Sequence, residues 1–240
     1  MSKLVDFLKD VSADRNSLLR AKDGKNCEEL FRGKLKTYFT DMSASNDKQI
    51  IKFKQKIKDI ILSKNGPSVV ENTLYSDTKN GMYEDFFIAQ PYGSQNYPDF
   101  LIFTRFKVFS IEIKYSTKKA VKPMWNSNLP KMDGIYFFGC YQSRQLTFFR
   151  GEDILPSNER ESLLKIWDYL DKKEKDWVNE FENSIKAKEF SNEYGFTPYI
   201  RRAYQQVKAF NSKAIIDYFN NPNKGSLEKR VIEFVESRDQ

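Results

Sequence analysis

Histidine is absent from this 240-residue chain, and cysteine is nearly so, with only Cys27 and Cys140, far apart. Without histidine there can be no Ser-His-Asp or Cys-His triad, no HExxH zinc site and no histidine general base. Two distant cysteines do not make a disulfide framework, and neither sits in a metal-binding motif. Acid–base or metal chemistry must therefore come from carboxylates, lysine, tyrosine or cysteine. Long apolar runs are also missing. No stretch of about 18 apolar residues occurs, so no membrane-spanning helix is expected. Charges interrupt every apolar run of the opening MSKLVDFLKDVSADRN, so no signal-peptide core is expected there and a cytoplasmic location is. Repeats and low-complexity tracts are lacking too.

What is present suits one soluble domain. Hydrophobic residues make up 40% and charged residues 30%, and 20 Phe with 13 Tyr can fill a core easily. The formal net charge of +7 favours anionic partners, nucleic acid first, although solvated lysine faces would give the same total.

Helical periodicity runs over 1–20, 27–39 and 47–63, with Asn26 as a candidate cap for the second segment. Asn65-Gly66-Pro67 stops the third, whose lysines at 48, 52, 54, 56 and 58 read as an ordinary exposed face. The middle changes to short apolar runs between turn residues: EDFFIAQ, DFLIF, VFSIEIKYS, GIYFFG and QLTFF. These predict strands. Helices return at about 158–190, 198–219 and 226–237. The order predicts an α/β or α+β core with a mostly antiparallel or mixed sheet and a helical C-terminal part. We expect one domain over 1–240, with its core at about 27–155 and the helical part at 157–240.

The chemistry concentrates in GSQNYPDFLIFTRFKVFSIEIKYS, residues 93–116. A hairpin turning at Arg105-Phe106 pairs residues whose numbers sum to 211. Asp99 then lies opposite Glu112, with Cβ atoms about 5 Å apart, and Lys114 emerges on the same face. Phe100, Ile102, Phe109, Ile111 and Ile113 take the other face. A one-residue slip would bury Glu112, so burial constrains the register. Two carboxylates this close repel, and a divalent cation relieves them. Oxygen ligands suit Mg²⁺, and the Ile113 carbonyl can add a third. Such an ion polarises a phosphate oxygen and acidifies a bound water, while Lys114 can hold the attacking water and steady the charged intermediate. The plain alternative is a surface Glu–Asp–Lys ion cluster without a task.

Tyr97-Pro98-Asp99 followed by Glu112-Ile113-Lys114 resembles the PD-(D/E)xK pattern of nucleases, and NYPDF…IEIK resembles its form in type II restriction endonucleases. KPMWNSNLPKMDGIYFFG (122–139) is similar to a loop and strand that follow the ExK lysine in some of those enzymes. The resemblance covers 93–139. It implies a restriction-endonuclease-like mixed sheet flanked by helices and Mg²⁺-dependent cleavage of double-stranded DNA at a specific sequence. It also implies a homodimer, and a cognate DNA methyltransferase encoded nearby. Asp99 and Glu112 would take the metal and Lys114 the catalytic lysine role. Many relatives add an acid from a preceding helix. Cys27, Leu30, Phe31, Leu35, Tyr38 and Phe39 form the apolar face of the 27–39 segment, and Glu28 at its edge suits that role better than Glu29. A Glu28–Arg32 helix pair is the alternative.

Lys118, Lys119 and Lys122, then Lys131, then Arg201 and Arg202 are candidate phosphate contacts. Asn126, Asn128, Arg201, Arg202, Gln205 and Gln206 have the donor–acceptor chemistry to read bases. A repair or junction nuclease, or a non-catalytic nucleic-acid-binding protein of the same fold, would share most of these features.

Overall fold

Helix α1 (Lys3–Ala13) buries Leu4, Val5, Phe7, Leu8 and Val11, the spacing that gives a helix one apolar face. The computed structural model describes residues 2–74, 84–126, 129–187, 204, 206, 215 and 217–240. Helix α2 spans Gly24–Leu35 and is capped by Asp23 rather than Asn26: the Asp23 carboxylate accepts the Asn26 N–H at 2.7 Å. Asn26 instead accepts the Lys22 N–H through its side chain, so the helix begins three residues earlier than its apolar periodicity predicts. Helix α3 (Lys48–Leu62) is capped by Asp47 and buries Ile50, Phe53, Ile57 and Ile61.

Among the described residues, seven strands form one mixed sheet: β1 (Thr40–Asp41), β2 (Val69–Glu71), β3 (Phe86–Ala89), β4 (Phe100–Phe103), β5 (Lys107–Ser116), β6 (Ile135–Cys140) and β7 (Gln145–Arg150). Their order is β1-β3-β4-β5-β6-β7, with β2 pairing β5 beside this path. The β1–β3 and β5–β6 pairs are parallel and the others antiparallel. The chain continues through the short α4 (Gly151–Ile154), the long α5 (Ser157–Ala187) and α6 (Lys224–Arg238). This is the expected α/β class with helices flanking a mixed sheet.

Both sheet faces are covered. On one, Phe100, Ile102, Phe109 and Ile111 pack with residues of α1, α2 and α6, and Ile113 lies against that cluster. On the other, Leu101, Phe103 and Val108 pack under the apolar stripe of α3, whose lysines at 48, 52 and 56 are exposed. Hairpin pairing follows the predicted sum: Phe100↔Ile111, Leu101↔Ser110, Ile102↔Phe109 and Phe103↔Val108.

One asymmetry of β5 positions the site. Its first residues pair with β2 and its last six with β6 along one edge. Along the opposite edge, β4 pairing ends at Ile111. Residues 112–116 therefore have a strand neighbour on one side only.

Candidate active site

Asp99 stands where β4 begins, beside that unpaired edge. Its Oδ2 accepts the Ile113 N–H at 2.6 Å, replacing the main-chain partner that a longer β4 would have supplied. A strand residue points its N–H and C=O the same way, so the Ile113 carbonyl faces this edge as well. On the face that carries Leu101 and Val108, side chains change along β5 from apolar Val108 to Ser110, Glu112 and Lys114. Lys114 Nζ donates to Glu112 Oε1 at 2.7 Å and lies 5.8 Å from the centre of the Trp125 ring. Asp99, Glu112, Lys114, Trp125, Tyr97 and Tyr136 line one cleft of about 490 Å³. The three charged residues singled out from the sequence thus share one cavity.

The electrostatics are those of an incompletely balanced pair. Burial, and then the neighbouring Glu112 charge, hold the Asp99 carboxyl well above the usual carboxylate range, and the Ile113 N–H only partly offsets them. Glu112 is largely buried, and among the described residues its Oε2 has no hydrogen-bond partner. An orphaned carboxylate oxygen beside a second, repelled carboxylate fits a small hard cation, with the Ile113 carbonyl at the same edge. Among the described residues, no three of His, Cys, Asp and Glu gather as a closed metal cage. The donor set is two carboxylates and a carbonyl, which suits an ion that keeps several waters.

Glu28 comes near this cleft but does not line it. Phe31, three residues on, packs at 5.2 Å from Phe100 and 4.8 Å from Phe137, which fixes α2 on the sheet face opposite Glu112. The predicted alternative, a Glu28–Arg32 pair, does not form, because Arg32 Nε donates to Asp41 at 2.7 Å. Glu28 instead accepts from Gln90 Nε2 at 2.9 Å. Burial raises its pKa; the Gln90 hydrogen bond opposes this and the charge of Glu112 adds to it. Gln90 escaped the sequence reading. Its backbone N–H also donates to the Asp99 carbonyl at 2.6 Å, so one residue ties Glu28 to the chain segment of Asp99. Its only sequence signal is its place directly after an apolar strand.

Lys118 and Lys119 are exposed just beyond β5, and Asn126 is exposed at the rim of the cleft. Lys122 donates to the Gln206 carbonyl. Gln206, expected on the surface, is buried and accepts from Tyr218 Oη. Lys131, expected as an exposed loop cation, is only 5% exposed, because the loop folds back and its Nζ donates to the Ser63 carbonyl. Asn128, Arg201, Arg202 and Gln205 lie outside the described residues, as does most of the predicted helix from 198. Within that stretch Tyr204 forms an isolated antiparallel bridge with Trp125. No family model, characterised protein or solved structure matches this chain.

Proposed function

We propose that the protein is a Mg²⁺-dependent endonuclease that hydrolyses double-stranded DNA at a specific sequence, in the manner of type II restriction enzymes. One observation carries the reading: a mutually repelling Asp99–Glu112 pair, with an unpartnered carboxylate oxygen and a lysine bound to it, opens into one cleft of a basic protein. Asp99, Glu112 and the Ile113 carbonyl would hold the ion. When bound, a divalent cation supplies charge to polarise a phosphodiester oxygen and to acidify a water.

The chain's own residues have separate tasks. Glu112 keeps Lys114 Nζ directed into the cleft through its 2.7 Å hydrogen bond. Lys114 then donates to the attacking water or to a non-bridging phosphate oxygen, offsetting negative charge as it builds. Asp99, fixed by the Ile113 N–H, keeps its position without relying on a flexible partner. Trp125, Tyr97 and Tyr136 wall the cleft with rings, lowering the local dielectric and strengthening each of these interactions. Lys118, Lys119 and Asn126 stand at exposed positions where phosphates and base edges would be met. A homodimer and a companion methyltransferase belong to the same reading.

The direct test is digestion of plasmid DNA with and without Mg²⁺, followed by sequencing of the ends. Discrete fragments with a constant end sequence are expected only with the ion. Intact plasmid in both lanes would remove the proposal, and cutting confined to branched or damaged DNA would redirect it to a repair or junction nuclease.

A further inference from the structure

A second cavity, of about 620 Å³, adjoins the first and shares Lys131 with it as a wall. It lies between the turn after α3, the 131–133 loop and the start of α5. Arg160 and Lys131 are both over nine-tenths buried there, at 8% and 5% exposure. Burying a cation is unfavourable unless it is paired, and among the described residues neither has a carboxylate partner. Arg160 Nη2 donates to the Leu155 carbonyl at 3.2 Å, while its Nε has no partner at all. Lys131 has the Ser63 carbonyl. Two carboxylates in the wall are already engaged, Asp133 by Arg150 at 3.4 Å and Asp168 by Lys64 at 3.3 Å. The third, Glu161, is exposed and forms no ion pair with either cation.

The arrangement is held, not accidental. A Cβ on Gly151 would fall 1.8 Å from the Lys131 carbonyl oxygen, so only glycine allows the loop to close so tightly. The Tyr136 hydroxyl accepts the Lys131 backbone N–H at 2.6 Å and fixes the loop from the sheet side. Burial first, and then the charge of Arg160, lower the Lys131 pKa to about 8. Arg160, itself lowered by burial, feels Asp133 and Glu152 only through space, without an ion pair. The α5 N-terminus adds the positive end of a 31-residue helix. An anion with several oxygens in this cavity would relieve the repulsion and match the fork of the Arg160 guanidinium that lines it.

We infer that Lys131 and Arg160 form a seat for a phosphate of the DNA strand, next to the one placed at Asp99 and Glu112. The shared chemistry is a phosphate group; its assignment to a strand rests on the nuclease reading and on the wall common to the two cavities.

Two measurements on the full chain test this. Thermal unfolding at pH 7 in inorganic phosphate, against chloride of equal ionic strength, should show a phosphate-specific rise in Tm for the wild type. Lys131→Met and Arg160→Met should lose that rise and Arg160→Lys should keep part of it, each variant checked for native circular dichroism. No rise in the wild type, or equal rises in all chains, would overturn the seat. Fluorescence anisotropy with duplex DNA in Ca²⁺ tests the source. Arg160→Met should weaken binding about ten- to a hundredfold and lower the slope of log affinity against log salt by about 1. A phosphate effect without any change in duplex binding would mean that the seat takes free phosphate, and would overturn the strand assignment. A wild type that binds DNA through this seat yet never cuts would defeat the nuclease reading and leave the inference standing.

Discussion

Two like-charge pairs lie on neighbouring cavities, and they fail to neutralise themselves in different ways. Asp99 and Glu112 repel each other but have local help: the Ile113 N–H on one and Lys114 on the other. Among the described residues, Lys131 and Arg160 hydrogen-bond only to neutral carbonyls, and Asp133 and Glu152 act on Arg160 through space alone. Tyr136 stands within electrostatic reach of both, influenced by Glu112 and by Arg160. Among the described residues, the acidic pair leaves one buried oxygen without a hydrogen-bond partner and the basic pair one buried N–H. Unfavourable charge of both signs is thus kept side by side, complementary to a cation and to the phosphates it would accompany. Such sites are held at the expense of stability.

The sharpest way to break this comparison is at its acidic end. Asp99→Ala, Glu112→Ala and Lys114→Ala should each lower Mg²⁺-supported cleavage by at least about 10³-fold, while duplex binding in Ca²⁺ survives. Single-turnover cleavage measures it, and full activity in any one variant ends the catalytic assignment.

Stability tests whether both pairs are strained. Asp99→Asn should raise Tm in EDTA, and Arg160→Met should raise it in chloride. Each change is expected at about 1 kcal/mol, which is about 2–4 °C for a chain of this size. Calorimetry showing a fall in either would mean that the pair is a structural asset.

Dependence on pH separates the two pairs by sign. The Asp99 carboxyl has a higher pKa folded than unfolded. Its contribution is present below the ordinary value of 3.8 and is lost as the pH rises through the elevated one. Lys131, facing Arg160 from α5 and the neutral rings of Tyr97 and Tyr136, has a lower pKa folded than unfolded. Its contribution is present above 10.5 and is lost as the pH falls through about 8. Metal-free Tm should therefore decline over the acid-to-neutral range and recover above pH 8. Asp99→Asn should flatten the first limb and Lys131→Met the second.

Smaller effects belong to the rim. Lys118→Ala and Lys119→Ala should weaken binding to all sequences alike, a few-fold each, and flatten the salt dependence by about 1 per lysine. Glu28→Gln should change cleavage least, because Glu28 does not line the cleft.

The hairpin was legible because Ser110, Glu112 and Lys114 alternate with Phe109, Ile111 and Ile113 along β5, whereas β4 is apolar and buried at all four positions and carries no such signal. The same clarity extended to β3, β6, β7, α3 and α5, where runs are long or strongly periodic. Strands β1 and β2, of two and three residues, carry no usable period. The burial of Lys131 and Gln206 was not legible, because a polar side chain in a loop such as Asn126–Asp133, or beside other polar residues as in Tyr204-Gln205-Gln206, reads as solvated. Their burial depends on distant partners, the Ser63 carbonyl and the Tyr218 hydroxyl. Arg160 gave no signal at all, since its neighbours on α5 are ordinary exposed helix residues.

The early end of β4 has one more consequence. A bare strand edge with free main-chain donors invites another chain to add itself as a further strand, and proteins commonly obstruct such edges with charge. At Ile113 the donor is already taken by a carboxylate, and that carboxylate projects where an incoming backbone would have to lie. Asp99 thus obstructs the addition of a further strand along this stretch of β5.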